Sequence, residues 1–205
     1  MRYTTLLYLL LSFLSLSAQE NTLYKGKNVR TIPIVEKRDS TGLDPFKVAQ
    51  RVELVFYTSN RMSWKNSAGK NLEELLTDGR LNIPTDSIAG RVELDSAQCA
   101  DWQHTLYQSQ LCDELLVAGC YEPRHLLVFY DDSNSSVGFI EICVSCAGAW
   151  VSQGLRSFVV CPERMSVLEG MVGQIAEKSN LTAFKSNTEK TRSKRDRKDK
   201  RNSIP

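Results

Sequence analysis

Between Cys120 and Cys146 the chain reads CYEPRHLLVFYDDSNSSVGFIEICVSC. Two runs rich in β-branched and aromatic residues, HLLVFYD and VGFIEIC, flank DDSNSS, which is a loop by composition. The pattern specifies a β-hairpin. It also gathers three of the six cysteines and one of the two histidines around that hairpin, so any fold the chain adopts has to settle what those sulfurs do: bind a metal, exchange electrons or staple a scaffold.

The compartment bears on that choice. Arg2 and the amino terminus form a short positive region, and Leu6 to Leu16, LLYLLLSFLSL, is an apolar run of the length a signal-peptide core needs. It is too short to span a bilayer, which takes about 20 apolar residues, and no other segment comes near that length. Residues 1–18 are therefore expected to be a signal peptide. Cleavage is expected after Ala18, although a cut after Ser17, with Ser15 behind it, fits the small-residue rule better. Export to the periplasm or medium places the cysteines where disulfides persist. Their even number fits full pairing and leaves the connectivity open.

The formal net charge of +2 is close to neutral, and the positive surplus is local. From Lys185 to the end, KSNTEKTRSKRDRKDKRNSIP mixes charge with Ser, Thr and Asn and has no aromatic residue. Such a segment cannot bury enough apolar surface to offset its ordering entropy, so residues 185–205 read as a disordered, solubilising basic tail. Without aromatic stacking platforms it is a poor nucleic-acid arm.

Residues 19–50 are polar, broken by Pro33, Gly42 and Pro45, and read as an extended lead-in with a brief apolar alternation at TIPIV. The domain, 51–184, begins at RVELVFYTS, whose period of two marks a half-buried strand. GKNLEELLTDG reads as a short helix closed by Gly79, and SIAGRVELD as a second strand. Asp95 with Gln98 marks a helix start, the helix running from Ser96 to Ser109 with Cys99, Trp102 and Leu106 on its apolar face, so that Cys99 becomes a small core hydrophobe. LCDELLVAGCYEP reads as a turn or short helix, and LRSFVVC as a strand after the hairpin. Pro162 opens a last helix whose Met165, Leu168, Val172 and Ile175 recur at helical spacing. Strands and helices mix without regular alternation. The expected fold is α+β, a small antiparallel sheet with two or three helices packed on one side.

Pairing the hairpin across DDSNSS sets Asp131 near Val137 and His125 opposite Cys143, with Glu141 on the same face. Three chemistries then compete. Cys143 and Cys146 form a Cys-x-x-Cys half-site that, with Cys120 and His125, could hold zinc or copper. CVSC could instead exchange disulfides, but the AGAWVSQG that follows is a poor helix opening to lower a thiol pKa. In the third reading the sulfurs are scaffold: a Cys112 to Cys120 bridge, some pairing among Cys143, Cys146 and Cys161, and no cofactor. Export favours this third reading. Glu141, alone on an apolar strand, needs a partner, which Arg124 or His125 could supply as an ion pair. His104 points away from its helix's apolar face and reads as solvated. No Gly-x-Ser-x-Gly, His-Glu-x-x-His or phosphate-cradling glycine loop occurs.

The residues Cys120, Tyr121, Pro123 and Arg124, then Phe129 to Asp131, then Glu141, Cys143 and Cys146 form a pattern that resembles a set of short exported proteins of Gram-negative bacteria. The resemblance covers the central sixth of the chain, implies a periplasmic or surface location and transfers no mechanism. The sequence as a whole reads as an exported, non-catalytic binding or interaction domain for a protein or small ligand, with metal-dependent and thiol-redox chemistry as its rivals.

Overall fold

In a computed structural model the described residues are 29–33, 42–64, 74–108, 112, 114–118 and 121–181. The expected signal peptide, the rest of the lead-in, Cys120 and the basic tail lie outside them. The chain order is β1 (Val29–Pro33), α1 (Pro45–Val48), β2 (Arg51–Tyr57), β3 (Leu76–Thr77), β4 (Arg80–Leu81), β5 (Ile88–Glu93), α2 (Ser96–Gln103), β6 (Glu114–Ala118), β7 (His125–Tyr130), β8 (Ser136–Cys143), β9 (Gly148–Val151) and α3 (Pro162–Lys178).

Five strands form one antiparallel sheet in the order β5-β2-β7-β8-β9, while β1 pairs with β6 and β3 with β4 in two small ribbons. The fold is α+β, as the sequence indicates. The central strands β7 and β8 are buried nearly throughout, which is why HLLVFY and FIEIC are almost continuously apolar instead of alternating.

One face of the sheet carries Val52, Leu54, Phe56, Leu127, Phe129, Ile140 and Ile142. Against it pack Trp102 and Leu106 from the α2 segment and Met165, Leu168, Val172 and Ile175 from α3. Phe46 of α1 meets Phe129 edge to face at 5.0 Å, so all three helices sit on this side. The four α3 side chains each contribute about 1.5–3 kcal/mol by leaving water. Pro162 occupies the first turn of α3, where its missing N–H costs nothing. α2 starts on a reciprocal box: Asp95 Oδ1 accepts from Gln98 N at 2.8 Å and Gln98 Oε1 accepts from Asp95 N at 2.9 Å.

Several local readings are corrected. The end of GKNLEELLTDG is a tight hairpin, β3–β4, because Asp78 and Gly79 both adopt positive φ (50° and 71°), the conformation of a two-residue strand reversal. The first part of that segment, 69–73, lies outside the described residues. The regular α2 turns end at Gln103, and His104–Gln108 widens into a π turn whose Thr105 carbonyl accepts from Arg164 Nε at 2.8 Å. Cys99 is half-buried at the margin of the core. ELLVA of LCDELLVAGCYEP is strand β6, and the strand expected at LRSFVVC lies earlier, at β9. There Ala147, at φ 52°, completes a reversal directly after Cys143.

Cys112 bonds Cys161, with Cα atoms 5.6 Å apart, and does not bridge to Cys120. Strand β6 lies between residues 112 and 120 and carries the chain roughly 13 Å along its axis, whereas a bridge needs Cα atoms within about 7 Å. Across a sequence separation of 49, the bond removes about 4 kcal/mol of loop entropy from the unfolded chain in the chain-entropy treatment. It ties the lead into β6 to the start of α3.

Candidate functional site

The hairpin loop is set by Asp131, whose Oδ1 accepts from Ser133 N at 3.0 Å and Ser135 N at 2.8 Å. Its own N–H bonds Ser135 O at 3.0 Å. Tyr130 then pairs with Ser136 but Phe129 with Gly138, so Val137 is an extra residue bulged to the outside. The bulge moves the register by one. His125 lies opposite Ile142, and Glu141 and Cys143 point to the other face of the sheet. On the helix side His125 sits edge to face with Phe56 at 5.6 Å, and burial, reinforced by the charge of Arg124, pushes its pKa down to about 4. The expected His125–Cys143 half-site is therefore not assembled. Among the described residues no three His, Cys, Asp or Glu side chains converge to hold a metal ion, and the fourth expected ligand, Cys120, lies outside them.

On the opposite face Glu141 is 0% exposed and pairs with Arg61, itself 2% exposed, through Nε to Oε1 at 2.7 Å. Neither Arg124 nor His125 is that partner; the Arg124 carbonyl instead accepts from Tyr57 N at 2.9 Å. Tyr57 Oη donates to Glu141 Oε1 at 3.2 Å and Tyr121 Oη to Oε2 at 3.0 Å. Burial pushes the Glu141 carboxyl up, against the pull of the Arg61 guanidinium and the two phenols. Burial and the neighbouring Glu141 push both phenols well up, which keeps them as donors.

Each partner has a local cause. The Asn60 side chain accepts from Ser63 N at 3.0 Å and starts the turn Arg61–Ser63, and Arg61 N donates to the Pro123 carbonyl at 3.1 Å. Gly148, paired with Cys143, leaves room for the Tyr121 ring, which would stand 3.1 Å from a Cβ there. Cys143 is a buried free thiol, so the Cys143–Cys146 bridge is not formed. Cys146 is buried and its sulfur accepts from Glu122 N at 3.2 Å. Glu141, Arg61, Tyr57 and Tyr121 thus lock the end of β2, the segment before β7 and β8 into one unit with no open approach to the carboxylate.

Beside this sealed centre an open cleft of about 310 Å³ is lined, among the described residues, by Thr58, Ser59, Ser63, Trp64, Pro84, Asp86 and Ser87. Its walls are firmly hung: Thr58 N donates to Ser87 O at 2.9 Å, Ser87 N to Pro84 O at 2.9 Å and Trp64 N to Arg61 O at 3.1 Å. Trp64 also packs edge to face on Tyr57 at 4.9 Å, so one short turn supplies both the cation of the sealed centre and a wall of the cleft.

Sequence reasoning located Glu141 and its need for a partner but missed Arg61, Tyr57 and Tyr121, and it missed the cleft. Alternation along RVELVFY does place Tyr57 on the face opposite Phe56, which was the available signal. Nothing in NRMSW marks Arg61, 80 residues from Glu141. No protein-family model, curated protein or solved structure matches this chain.

Proposed function

We propose that this chain is an exported, disulfide-stapled binding domain that holds a small polar ligand in the cleft at the end of β2 and performs no chemistry on it. The observation that carries the reading is the contrast between the two polar regions. The candidate acid, base and nucleophile of the hairpin, Glu141, His125 and Cys143, are buried, and both Glu141 oxygens are occupied by internal donors. Among the described residues the open concavity instead presents hydroxyls and one carboxyl, which bind but do not turn over substrate without an activating base. The apolar run at Leu6 to Leu16 and the Cys112–Cys161 bond support an oxidising destination outside the cytosol.

The test begins with the mature product recovered from an exporting cell. Mass spectrometry is expected to find the chain starting at Gln19, with Cys112 linked to Cys161. Amide NMR of that product, mixed with a broad panel of small polar compounds, is expected to show shifts at Thr58, Ser59 and Asp86, with every compound recovered unchanged. Glu141→Gln and Cys143→Ser should lower stability yet leave those shifts intact. Conversion of any compound that disappears in either variant, or no shift at the cleft with any compound, overturns the reading.

A further inference from the structure

The lining of the cleft restricts what can occupy it. Thr58, Ser59, Ser63 and Ser87 bring hydroxyls that both donate and accept, and Asp86 brings acceptors only. Among the described residues no Lys, Arg or His lines the cleft, so there an anionic headgroup finds no counter-charge and meets a carboxyl. The hydroxyls are only loosely used inside the protein: Thr58 Oγ1 reaches the Asp86 carbonyl at 3.3 Å and Ser87 Oγ reaches Asp86 Oδ1 at 3.5 Å, both at the long end for O–H donors. Ser63 is the exception, donating to the Asn60 carbonyl at 2.7 Å and so keeping its lone pairs for a ligand donor.

Trp64 adds an independent observation. It is 3% exposed, and its indole N–H has no acceptor among the described residues. A buried donor left without a partner is costly, about 1–3 kcal/mol, and rare enough to need a reason. The residue is part of the cleft wall, so a ligand there would lie beside the Trp64 side chain, while its indole nitrogen stays buried beneath. Pro84 and the Trp64 ring give the lining its apolar part. The volume of about 310 Å³ is at the lower end of ligand clefts, which run from about 300 to 1,000 Å³.

From this chemistry we infer that the cleft takes a neutral, hydroxyl-rich ligand of the carbohydrate class, its hydroxyls donating to Asp86 and exchanging hydrogen bonds with Thr58, Ser59 and Ser63. A polyamine would ask for more than one carboxyl, and a phosphate for at least one cation. The inference rests on the binding reading above and narrows it to one ligand class.

The experiment titrates the oxidised mature chain with three probes: neutral disaccharides (maltose, cellobiose and diacetylchitobiose), spermidine, and inorganic phosphate. The readout is the indole N–H resonance of Trp64, assigned with Trp64→Phe and separable from those of Trp102 and Trp150, together with the amides of Thr58, Ser59 and Asp86. At least one disaccharide is expected to shift these signals saturably, and spermidine and phosphate are not. Asp86→Ala, at an exposed position, should weaken the affinity about tenfold and Ser63→Ala about threefold, with urea midpoints confirming that both variants fold. Cleft shifts with spermidine or phosphate but with no sugar would overturn the carbohydrate assignment while leaving a binding cleft. Sugar binding that Asp86→Ala leaves unchanged would also overturn it. Silence of the cleft toward all three probes would overturn it too, and the broad panel above would then decide whether the binding reading falls with it.

Discussion

The two faces of the five-stranded sheet are covered by different means. On one side, three helices press apolar side chains onto Leu54, Leu127 and Ile140, and the two longer ones satisfy their interior backbone internally, leaving only their ends to caps and neighbours. On the other side the cover is made of turns bearing Trp64, Leu75 and Ile83. Turns satisfy only part of their own backbones, so this face carries hydrogen bonds to other segments such as Arg61 N to Pro123 O and buries a charged pair among its apolar residues. A helical cover can be built by hydrophobic area alone. A turn cover needs a polar anchor to choose one arrangement, and in this protein the anchor is Glu141.

The sharpest way to break that comparison is to remove the cation. Arg61→Met leaves Glu141 buried with two phenols and no counter-charge, and should cost about 3–5 kcal/mol in urea unfolding. Combining it with Glu141→Gln removes the stranded charge, keeps an oxygen acceptor for one phenol and offers the other an amide N–H to accept, so more than half of the loss should return. A single-variant cost below about 1 kcal/mol, the scale of an exposed pair, would show that the turn face does not depend on its anchor.

Leu168→Ala tests the helical side. Leu168 is 0% exposed in the α3 interface, and the cavity should cost about 3 kcal/mol. Because Leu168 and Arg61 belong to separate clusters on opposite faces, their effects should add to within about 0.5 kcal/mol. A larger coupling would mean that the two covers are one cooperative unit.

The same contrast explains what could be read in advance. The helical side was legible because its signals are local: Asp95 with Gln98, Pro162, and the spacing of Met165, Leu168, Val172 and Ile175. The hairpin was legible as a pair of strands, but its register turned on a single bulged residue, Val137, which composition does not reveal. That one residue sent His125 away from Cys143 and dissolved the expected ligand set. Asp78-Gly79 was readable as a strand reversal, but the helix-forming residues before it outweighed the signal. Arg61 was out of reach, since its partner lies 80 residues away and only the completed sheet brings them together.

Acidification probes the helical side through His125. Its folded pKa, about 4, lies below the unfolded value of about 6.5. Protonation therefore favours the unfolded chain as pH falls below about 6.5, and the loss levels off once pH passes below the folded value. Between pH 7 and pH 5 this should remove about 2 kcal/mol. Glu141 works in the opposite sense, since its raised folded pKa makes the native state the tighter proton binder. His125→Leu should consequently flatten the fall in urea midpoint between pH 7 and 5. A variant as acid-sensitive as the parent would place the titrating group elsewhere.

The smallest expected effect separates the two covers most cleanly, because it is local. Asp95→Ala removes the acceptor for Gln98 N at the start of α2, a loss of about 1 kcal/mol. Asp95→Asn, which keeps a side-chain oxygen in place, should recover most of it. Since a helix carries its own hydrogen bonds beyond the first turn, faster hydrogen exchange should be confined to the amides of Gln98 and Cys99, leaving β2, β8 and α3 protected. Arg61→Met should instead speed exchange together across the end of β2, the segment before β7 and β8, which share the Glu141 anchor. If Asp95→Ala loosened β8 as well, the helical cover would not be built of independently closed pieces, and the distinction between the two faces would be one of composition alone.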